Sequence, residues 1–293
     1  MSKHRSLFVL LALAALPLAA CKRNQAAARD ERPVPDAGFA REIPIPAEEI
    51  TRVINPSGLP AYAGPVGAIE GEVYVDGDEP ESVSVAAPCP EAEAVYGKRF
   101  RQTLVGGKRL LADAIVGVTG YKEFLPQREA AVQVSIEGCV LDKRTIVLTF
   151  GQRLDIVNKN APSPQNFYTL SFERDRPSLV LMATPSGDAA RVYPTKPGRD
   201  LLADKWSHPY LRADVFVLPS SLFVVTDRAG HFQMPYVPVG KQTISTTHPS
   251  FADGSDDSKQ VEVLEGKTTH VELHLKYKSI APAMTPAPAT PKK

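Results

Sequence analysis

The sequence predicts an all-β protein built from two β-sandwiches, a larger one over residues 66–218 and a smaller one over residues 219–277. Between these limits, short segments that alternate apolar and polar residues follow one another, and Gly, Pro, Asn or Asp separates them. No stretch of about 12 residues in this part has the spacing of an amphipathic helix. Many short strands with frequent turn signals are typical of sandwiches and barrels.

The predicted strands of the larger sandwich succeed each other at short intervals. Each is rich in β-branched or aromatic residues and ends at a turn residue. They cover residues 69–77, 111–120, 131–141, 145–150, 153–158, 167–172 and 178–183. The smaller sandwich is predicted to begin near Pro219, to turn at Asp227–Gly230 and at Pro238–Gly240, and to end with a hairpin that turns at Glu265–Lys267.

The start of the chain resembles a bacterial lipoprotein signal peptide over residues 1–20. Basic residues at Lys3–Arg5 precede an apolar run too short to remain as a membrane-spanning helix, and Leu18–Cys21 resembles a lipobox. An ordinary signal peptide with a nearby cysteine is the alternative. Acylation of Cys21 would hold the protein on a lipid bilayer. Lys22 in place of aspartate then favours the outer membrane, with the protein facing the periplasm or the cell surface.

Two flanking segments are predicted to lie outside the sandwiches. Residues 21–65 are interpreted as a Pro/Ala-rich tether with one short helix at Pro46–Ile54, and residues 278–293 as a Pro/Ala-rich tail. Without Lys3 and Arg5, 32 basic residues stand against 33 acidic residues. This balance, and the lack of a basic cluster with interleaved aromatic residues, give no support for a nucleic-acid partner.

Three cysteines occur in the sequence. If Cys21 carries the lipid, Cys89 and Cys139 remain as a pair in an oxidising compartment, where a disulfide is the expected state. The alternative is a free thiolate that binds a metal. A disulfide closing this loop of about 50 residues would stabilise the fold by roughly 4 kcal/mol.

Several short motifs occur in a characteristic order. They are I-x-G-x-V at Ile69–Val73, the L-A-D strand at Leu111–Val116, G-C at Gly138–Cys139, G-Q-x-L-x-I-x-N at Gly151–Asn158, T-D-x-x-G-x-F at Thr226–Phe232, V-P-x-G at Val237–Gly240 and T-H-P at Thr247–Pro249. Over residues 68–275 the chain thus resembles bacterial exported proteins that join a cupredoxin-like domain to a carboxypeptidase-regulatory-like, or transthyretin-like, domain. The resemblance implies a Greek-key cupredoxin-like sandwich followed by a small prealbumin-like sandwich.

The resemblance also implies where copper would bind, and this sequence departs from that pattern. Metal-binding members use histidines after an N-x-D turn and a later C-x-x-H-x-x-M loop, because imidazoles and a thiolate form the copper site. Here Gln165–Tyr168 replaces the early histidines, and Lys205 and Leu211 stand at the later Cys and Met positions. Only His208 keeps its place. The domain is therefore predicted to lack copper, and no cofactor is expected.

The aromatic residues near His208 form a candidate binding site. Trp206, Tyr210, Phe167 and Tyr168 either line a pocket at the end of the sandwich or cap its core. Capping is the more common use of large aromatic side chains.

A second candidate site is on the last predicted strand. His270, Glu272 and His274 alternate with apolar residues and therefore share one face, where they could bind Zn²⁺ or Cu²⁺. The solvated face of an ordinary edge strand has the same pattern.

The sequence contains no G-x-S-x-G, H-E-x-x-H or P-loop motif. It therefore predicts a lipid-anchored, non-enzymatic binding or scaffolding protein of the bacterial envelope, whose partner is an envelope protein or a glycan. One alternative is a copper electron-transfer protein with atypical ligands, which requires Cys89 or Cys139 to be free. Another is a carbohydrate-binding accessory module, which rests on analogy between folds.

Overall fold

The computed structural model describes residues 40–85, 90–172, 179–251 and 256–279. These residues form 19 strands, two α-helices and one 3-10 turn. Two hydrophobic cores are present, each enclosed between two sheets. The predicted all-β class with sandwich architecture is confirmed.

Sandwich B consists of two five-stranded sheets. In spatial order, the first contains β1 (Ala40–Arg41), β12 (Ala190–Pro194), β9 (Arg153–Asn158), β6 (Ala131–Glu137) and β7 (Val140–Leu141). The second contains β11 (Val180–Ala183), β10 (Tyr168–Phe172), β13 (Gly198–Ala203), β14 (Arg212–Leu218) and β8 (Thr145–Thr149). Apolar side chains from alternate positions, among them Ile136, Leu148 and Val215, are fully buried and form one core between the sheets.

Sandwich A contains the remaining strands. Its four-stranded sheet has the order β15 (Phe223–Val225), β5 (Ile115–Thr119), β17 (Gly240–Thr247) and β18 (Asp257–Val263). Its second sheet has the order β16 (His231–Pro238), β2 (Val66–Gly77), β4 (Lys108–Leu111) and β3 (Gln102–Val105), and β19 (Thr268–Tyr277) pairs with β2 in parallel. Val73, Val116 and Leu273 are fully buried in the core between these sheets.

The boundary between the sandwiches differs from the predicted one at residue 218. β2 is antiparallel to β16 and parallel to β19, and β5 is antiparallel to β15 and β17. The strands β2–β5 therefore belong to the same sandwich as β15–β19, and all strands of sandwich B except β1 lie between β5 and β15 in the sequence. Alternation indicates which face of a strand is buried, but it carries no information about a partner that is distant in the sequence.

Two helices pack against the sheets. α1 (Ala47–Ile54) confirms the predicted short helix, and its residue Ile50 packs against the core of sandwich B. The end of the predicted tether at residues 21–65 is thus part of the fold. α2 (Pro90–Tyr96) was not predicted; it covers Val140 at one end of sandwich B.

Some predictions fall partly or wholly outside the described residues. Cys139 is disulfide-bonded, but Cys21, Cys89 and residues 280–293 are not described, so the Cys89–Cys139 pairing and the lipid on Cys21 stay predictions. Within the described ranges, no helix is both long enough and apolar enough to cross a membrane.

Candidate functional site

A buried carboxylate organises the loop that contains His208. Asp204 is fully buried and accepts hydrogen bonds from the backbone N–H groups of Trp206 and Ser207 at 3.0 and 2.9 Å. Its other oxygen lies 3.0 Å from His208 Nδ1 and accepts the N–H of Thr169 at 3.3 Å. Hydrogen bonds to a charged acceptor are stronger than neutral ones, so this carboxylate fixes the conformation of the loop.

The aromatic residues near His208 divide into two groups. Tyr168 and Tyr210 pack against the imidazole, with ring centroids 4.4 and 6.0 Å from it. Burial raises the pKa of Tyr210 to about 12, which keeps its hydroxyl protonated at neutral pH. Trp206 and Phe167 instead are 62% and 41% exposed. Tyr168 and Tyr210 therefore pack around His208, whereas Trp206 and Phe167 lie at the surface, and the candidate pocket stays a prediction.

Two of the residues at the copper-ligand positions of the resemblance, Tyr168 and His208, are in contact in the structure. Tyr168, in place of a histidine, contacts His208, and Leu211, in place of the methionine, is fully buried. Lys205, in place of the cysteine, is exposed, and Cys139 is disulfide-bonded. A protonated tyrosine, a leucine and a lysine do not supply the thiolate and imidazoles of a cupredoxin site. The donor set does not fit copper.

The three candidate residues on β19 do not converge on one point. His270 Nε2 lies 3.1 Å from Glu72, His274 Nδ1 lies 3.0 Å from Asp76, and Glu272 lies 3.9 Å from a lysine of β4. Within the described ranges, no group of three or more His, Cys, Asp or Glu side chains is arranged to hold a metal ion. The structure favours the interpretation of this strand as a solvated face.

A groove of about 970 Å³ lies between the two sandwiches. One wall is the outer face of β2, β16 and β19, the opposite wall contains residues of β6 and β8, and β15 lies between them. A second cavity of about 320 Å³ adjoins the groove and shares Val132, Lys143, Val147 and Phe223 with it. The groove therefore combines charged walls with an apolar surface where the two cavities meet.

Glu72 connects two histidines on the wall formed by sandwich A. His231 lies opposite Glu72 in the β2–β16 pair, and its Nδ1 is 3.4 Å from Glu72 Oε1. His270 reaches the other carboxylate oxygen, at 3.1 Å, from β19. Glu70, on the same face of β2, lies 3.9 Å from His270. This wall therefore presents two carboxylates and two imidazoles to the groove.

A buried ion pair lies in the groove lining. Arg101 donates two hydrogen bonds to Asp113 at 2.7 and 2.5 Å, and the two side chains are 14% and 5% exposed. Asp113 has a left-handed backbone with φ of 65°, which is uncommon for a residue other than glycine. Its N–H donates to Thr226 O at 3.2 Å. The end of β15 and the bidentate arginine together hold this carboxylate in one position.

Of the groove residues, the sequence pattern singled out only His270, as a candidate metal ligand on the last strand. The alternation in I-E-G-E-V places Glu70 and Glu72 on one face of β2, and this was the only local signal for these two carboxylates. His231 and Asp113 come from other strands, and they reach the groove through sheet pairing that no local pattern encodes.

Comparisons with known proteins are limited to part of the chain. No protein-family model matches it, and no curated protein matches it. Among solved structures, a reduced tryptophan-to-tyrosine mutant of amicyanin is 18% identical and aligns over 31% of this chain and 84% of its own, with a TM-score of 0.27. Amicyanin from Paracoccus versutus (Thiobacillus versutus) is 20% identical over 30% of this chain and 80% of its own, with a TM-score of 0.25.

Amicyanin is a cupredoxin, but with TM-scores of only 0.27 and 0.25 these alignments carry no argument about this chain. A likeness at these identities concerns the fold alone and covers less than one third of the chain. It carries no information about copper in this protein.

Proposed function

We propose that this protein is a non-catalytic binding protein of the bacterial envelope, anchored through a lipid on Cys21, and that it binds its ligand in the groove between the sandwiches. The groove itself is the observation that carries this proposal. Its volume of about 970 Å³ lies within the range of ligand sites. Its lining combines charged side chains on the walls with the apolar side chains of Val147, Phe223 and Val225.

The state of the titratable side chains supports binding rather than catalysis. Glu72 is paired with two histidines, Asp113 with Arg101, and Asp204 with His208. Across the part of the chain that the structure describes, no Ser or Thr hydroxyl is hydrogen-bonded to a histidine side chain, which a nucleophile–base pair requires.

Photo-crosslinking in the native membrane tests whether a ligand binds in the groove. A benzophenone amino acid is placed at Arg228, which lines the groove, and in a control at Leu104, which is 71% exposed on β3 and does not line it. Benzophenone inserts into C–H bonds of proteins and of glycans alike. Adducts from position 228 that are absent from position 104 are expected. Equal or absent adducts at both positions would contradict binding in the groove.

The anchor is tested separately. Metabolic labelling with an alkyne fatty acid should label the wild-type chain, and Cys21→Ala should abolish the label. A Cys21→Ala protein that is labelled as strongly as the wild type would contradict lipid anchoring at this residue.

A further inference from the structure

Two sheet edges open into the groove. β8 is the last strand of its sheet in sandwich B, and β15 is the last strand of its sheet in sandwich A. Thr145 and Val147 of β8 line the groove together with Phe223 and Val225 of β15. An edge strand carries a row of backbone N–H and C=O groups without a neighbouring strand.

Hydrogen bonding shows which groups of β8 face outward. Arg144 O accepts the N–H of Asp214, and the Phe150 N–H donates to Leu218 O, so even-numbered residues of this segment bond to β14. Because successive backbone groups point to opposite edges of a strand, Thr145 and Val147 direct theirs toward the groove.

The same alternation holds on β15. Leu222 O accepts the N–H of Val118, and the Thr226 N–H donates to Ala114 O. Val224, between these two residues, also pairs with β5, opposite Val116. Phe223 and, two residues on, Val225 therefore direct their backbone groups away from β5, into the groove.

The groove is closed at one end and its edges lack the usual protection. Thr149 Oγ1 donates to Ser220 O at 3.1 Å where β8 and the chain leading into β15 meet. Thr149 N–H is capped by the side chain of Gln152 at 2.8 Å. The sequences T-I-V-L-T of β8 and F-V-V of β15 contain no charge and no proline, the residues that normally block pairing at an edge.

The charges of the wall indicate which side chains the occupant carries. The groove lining holds five carboxylates, from Glu70, Glu72, Asp113, Asp142 and Asp227, and three basic side chains, from Arg101, Lys143 and Arg228. Carboxylates are therefore in excess, and Glu70 and Glu72 lie on the wall formed by sandwich A. A ligand with Lys or Arg side chains would complement them.

We propose that the groove binds an extended polypeptide segment rich in Lys or Arg, which adds as a strand to the free edge of β8. Alternate side chains of this segment would contact Phe223 or approach Glu70 and Glu72, as in other complexes formed by strand addition. This inference rests on the proposed function, because it names the ligand class of the same groove.

The probe for the test is an mRNA-display library of random ten-residue peptides, selected on the full chain purified in detergent from bacterial membranes. Val147→Pro removes one outward N–H, a change that an edge strand accommodates. Leu104→Pro, on the edge strand β3 away from the groove, is the matched control. Selected peptides should be basic and bind Val147→Pro about 10-fold more weakly, the effect of one lost hydrogen bond, with Leu104→Pro unchanged.

Two further measurements distinguish strand addition from misfolding of the variants and from binding that does not depend on peptide charge. Methylating alternate backbone nitrogens of a selected peptide should abolish binding to the wild-type chain, a result that is independent of how the variants fold. Glu70→Gln with Glu72→Gln should weaken binding of Lys- and Arg-containing peptides severalfold.

The outcomes distinguish the two proposals. If no library peptide binds the wild-type chain more tightly than it binds Val147→Pro, strand addition is overturned. If strand addition is overturned but position 228 still crosslinks, or oligosaccharides bind in the groove, the proposed binding function holds for a different class of ligand. If the groove crosslinks nothing and binds no peptide, both proposals fail.

Discussion

We expect the protein to lose about 2 kcal/mol of unfolding free energy between pH 7.5 and pH 5 through His248 alone. This residue follows β17, is 5% exposed, and packs against Phe100 and Phe251 with centroid distances of 5.9 and 4.9 Å. Its Nδ1 accepts the N–H of Ser250 at 3.1 Å, which places the proton of the neutral ring on Nε2. Burial lowers the pKa of His248 from 6.5 to about 4.

The direction of the effect follows from the two pKa values. The unfolded chain takes up a proton near pH 6.5, whereas the folded chain does so only near pH 4, so falling pH favours the unfolded state across this interval. Above about pH 7 the contribution of His248 is fully present. A shift of this size corresponds to about 3 kcal/mol over the whole interval, of which about 2 kcal/mol is lost by pH 5.

Denaturant titrations of the chain from residue 22 onward, at both pH values, measure this loss. His248→Asn keeps an acceptor near the position of Nδ1 but does not titrate, so its loss of stability should be smaller than that of the wild type by about 2 kcal/mol. Phe251→Leu is the control: it weakens the same packing yet keeps the histidine, and its pH dependence should equal that of the wild type. An identical loss in the wild type and His248→Asn would refute the reasoning.

Three further predictions concern the groove and the His208 loop. Asp113→Ala leaves the largely buried charge of Arg101 without its partner and should lower the free energy of unfolding by about 3–5 kcal/mol in denaturant titrations; a loss below about 1 kcal/mol would contradict the role of this pair. Asp204→Ala removes the acceptor of four loop hydrogen bonds and should cost roughly 2–4 kcal/mol in the same measurement, with no effect if the loop is held by its aromatic residues alone. Amide hydrogen exchange followed by NMR should be faster at Val147 than at Ile146, because only Ile146 bonds to β14; equal protection would contradict the free edge of β8.

Local patterns were sufficient for many strands, several turns and one helix, but β1, β3, β12 and β13 lie outside the predicted strand segments. The alternation in I-E-G-E-V-Y-V identified β2, and the spacing of apolar residues in A-E-E-I-T-R-V-I identified α1. The turn at Glu265–Lys267 is also present, with Gly266 at φ 63°. It does not form the predicted hairpin, because β18 pairs with β17 and β19 pairs with β2 in the opposite sheet.

The surroundings of His208 were only partly predictable from the sequence. An aromatic neighbourhood was expected, and the structure places Tyr168 and Tyr210 against the imidazole, at 4.4 and 6.0 Å between ring centroids, whereas Trp206 is exposed. Nothing in the sequence indicated that Asp204 is the buried hydrogen-bond acceptor of this loop. An aspartate before a loop is most often solvated.

By itself, the sequence determined the all-β class and the buried faces of many strands. Only the tertiary structure decided that the strands of sandwich B other than β1 are inserted between β5 and β15, and that the edges of β8 and β15 meet at one groove. The physical reason is that apolar alternation specifies which face of a strand is buried, whereas its edge partners are selected by backbone hydrogen bonds that are nearly the same for every residue.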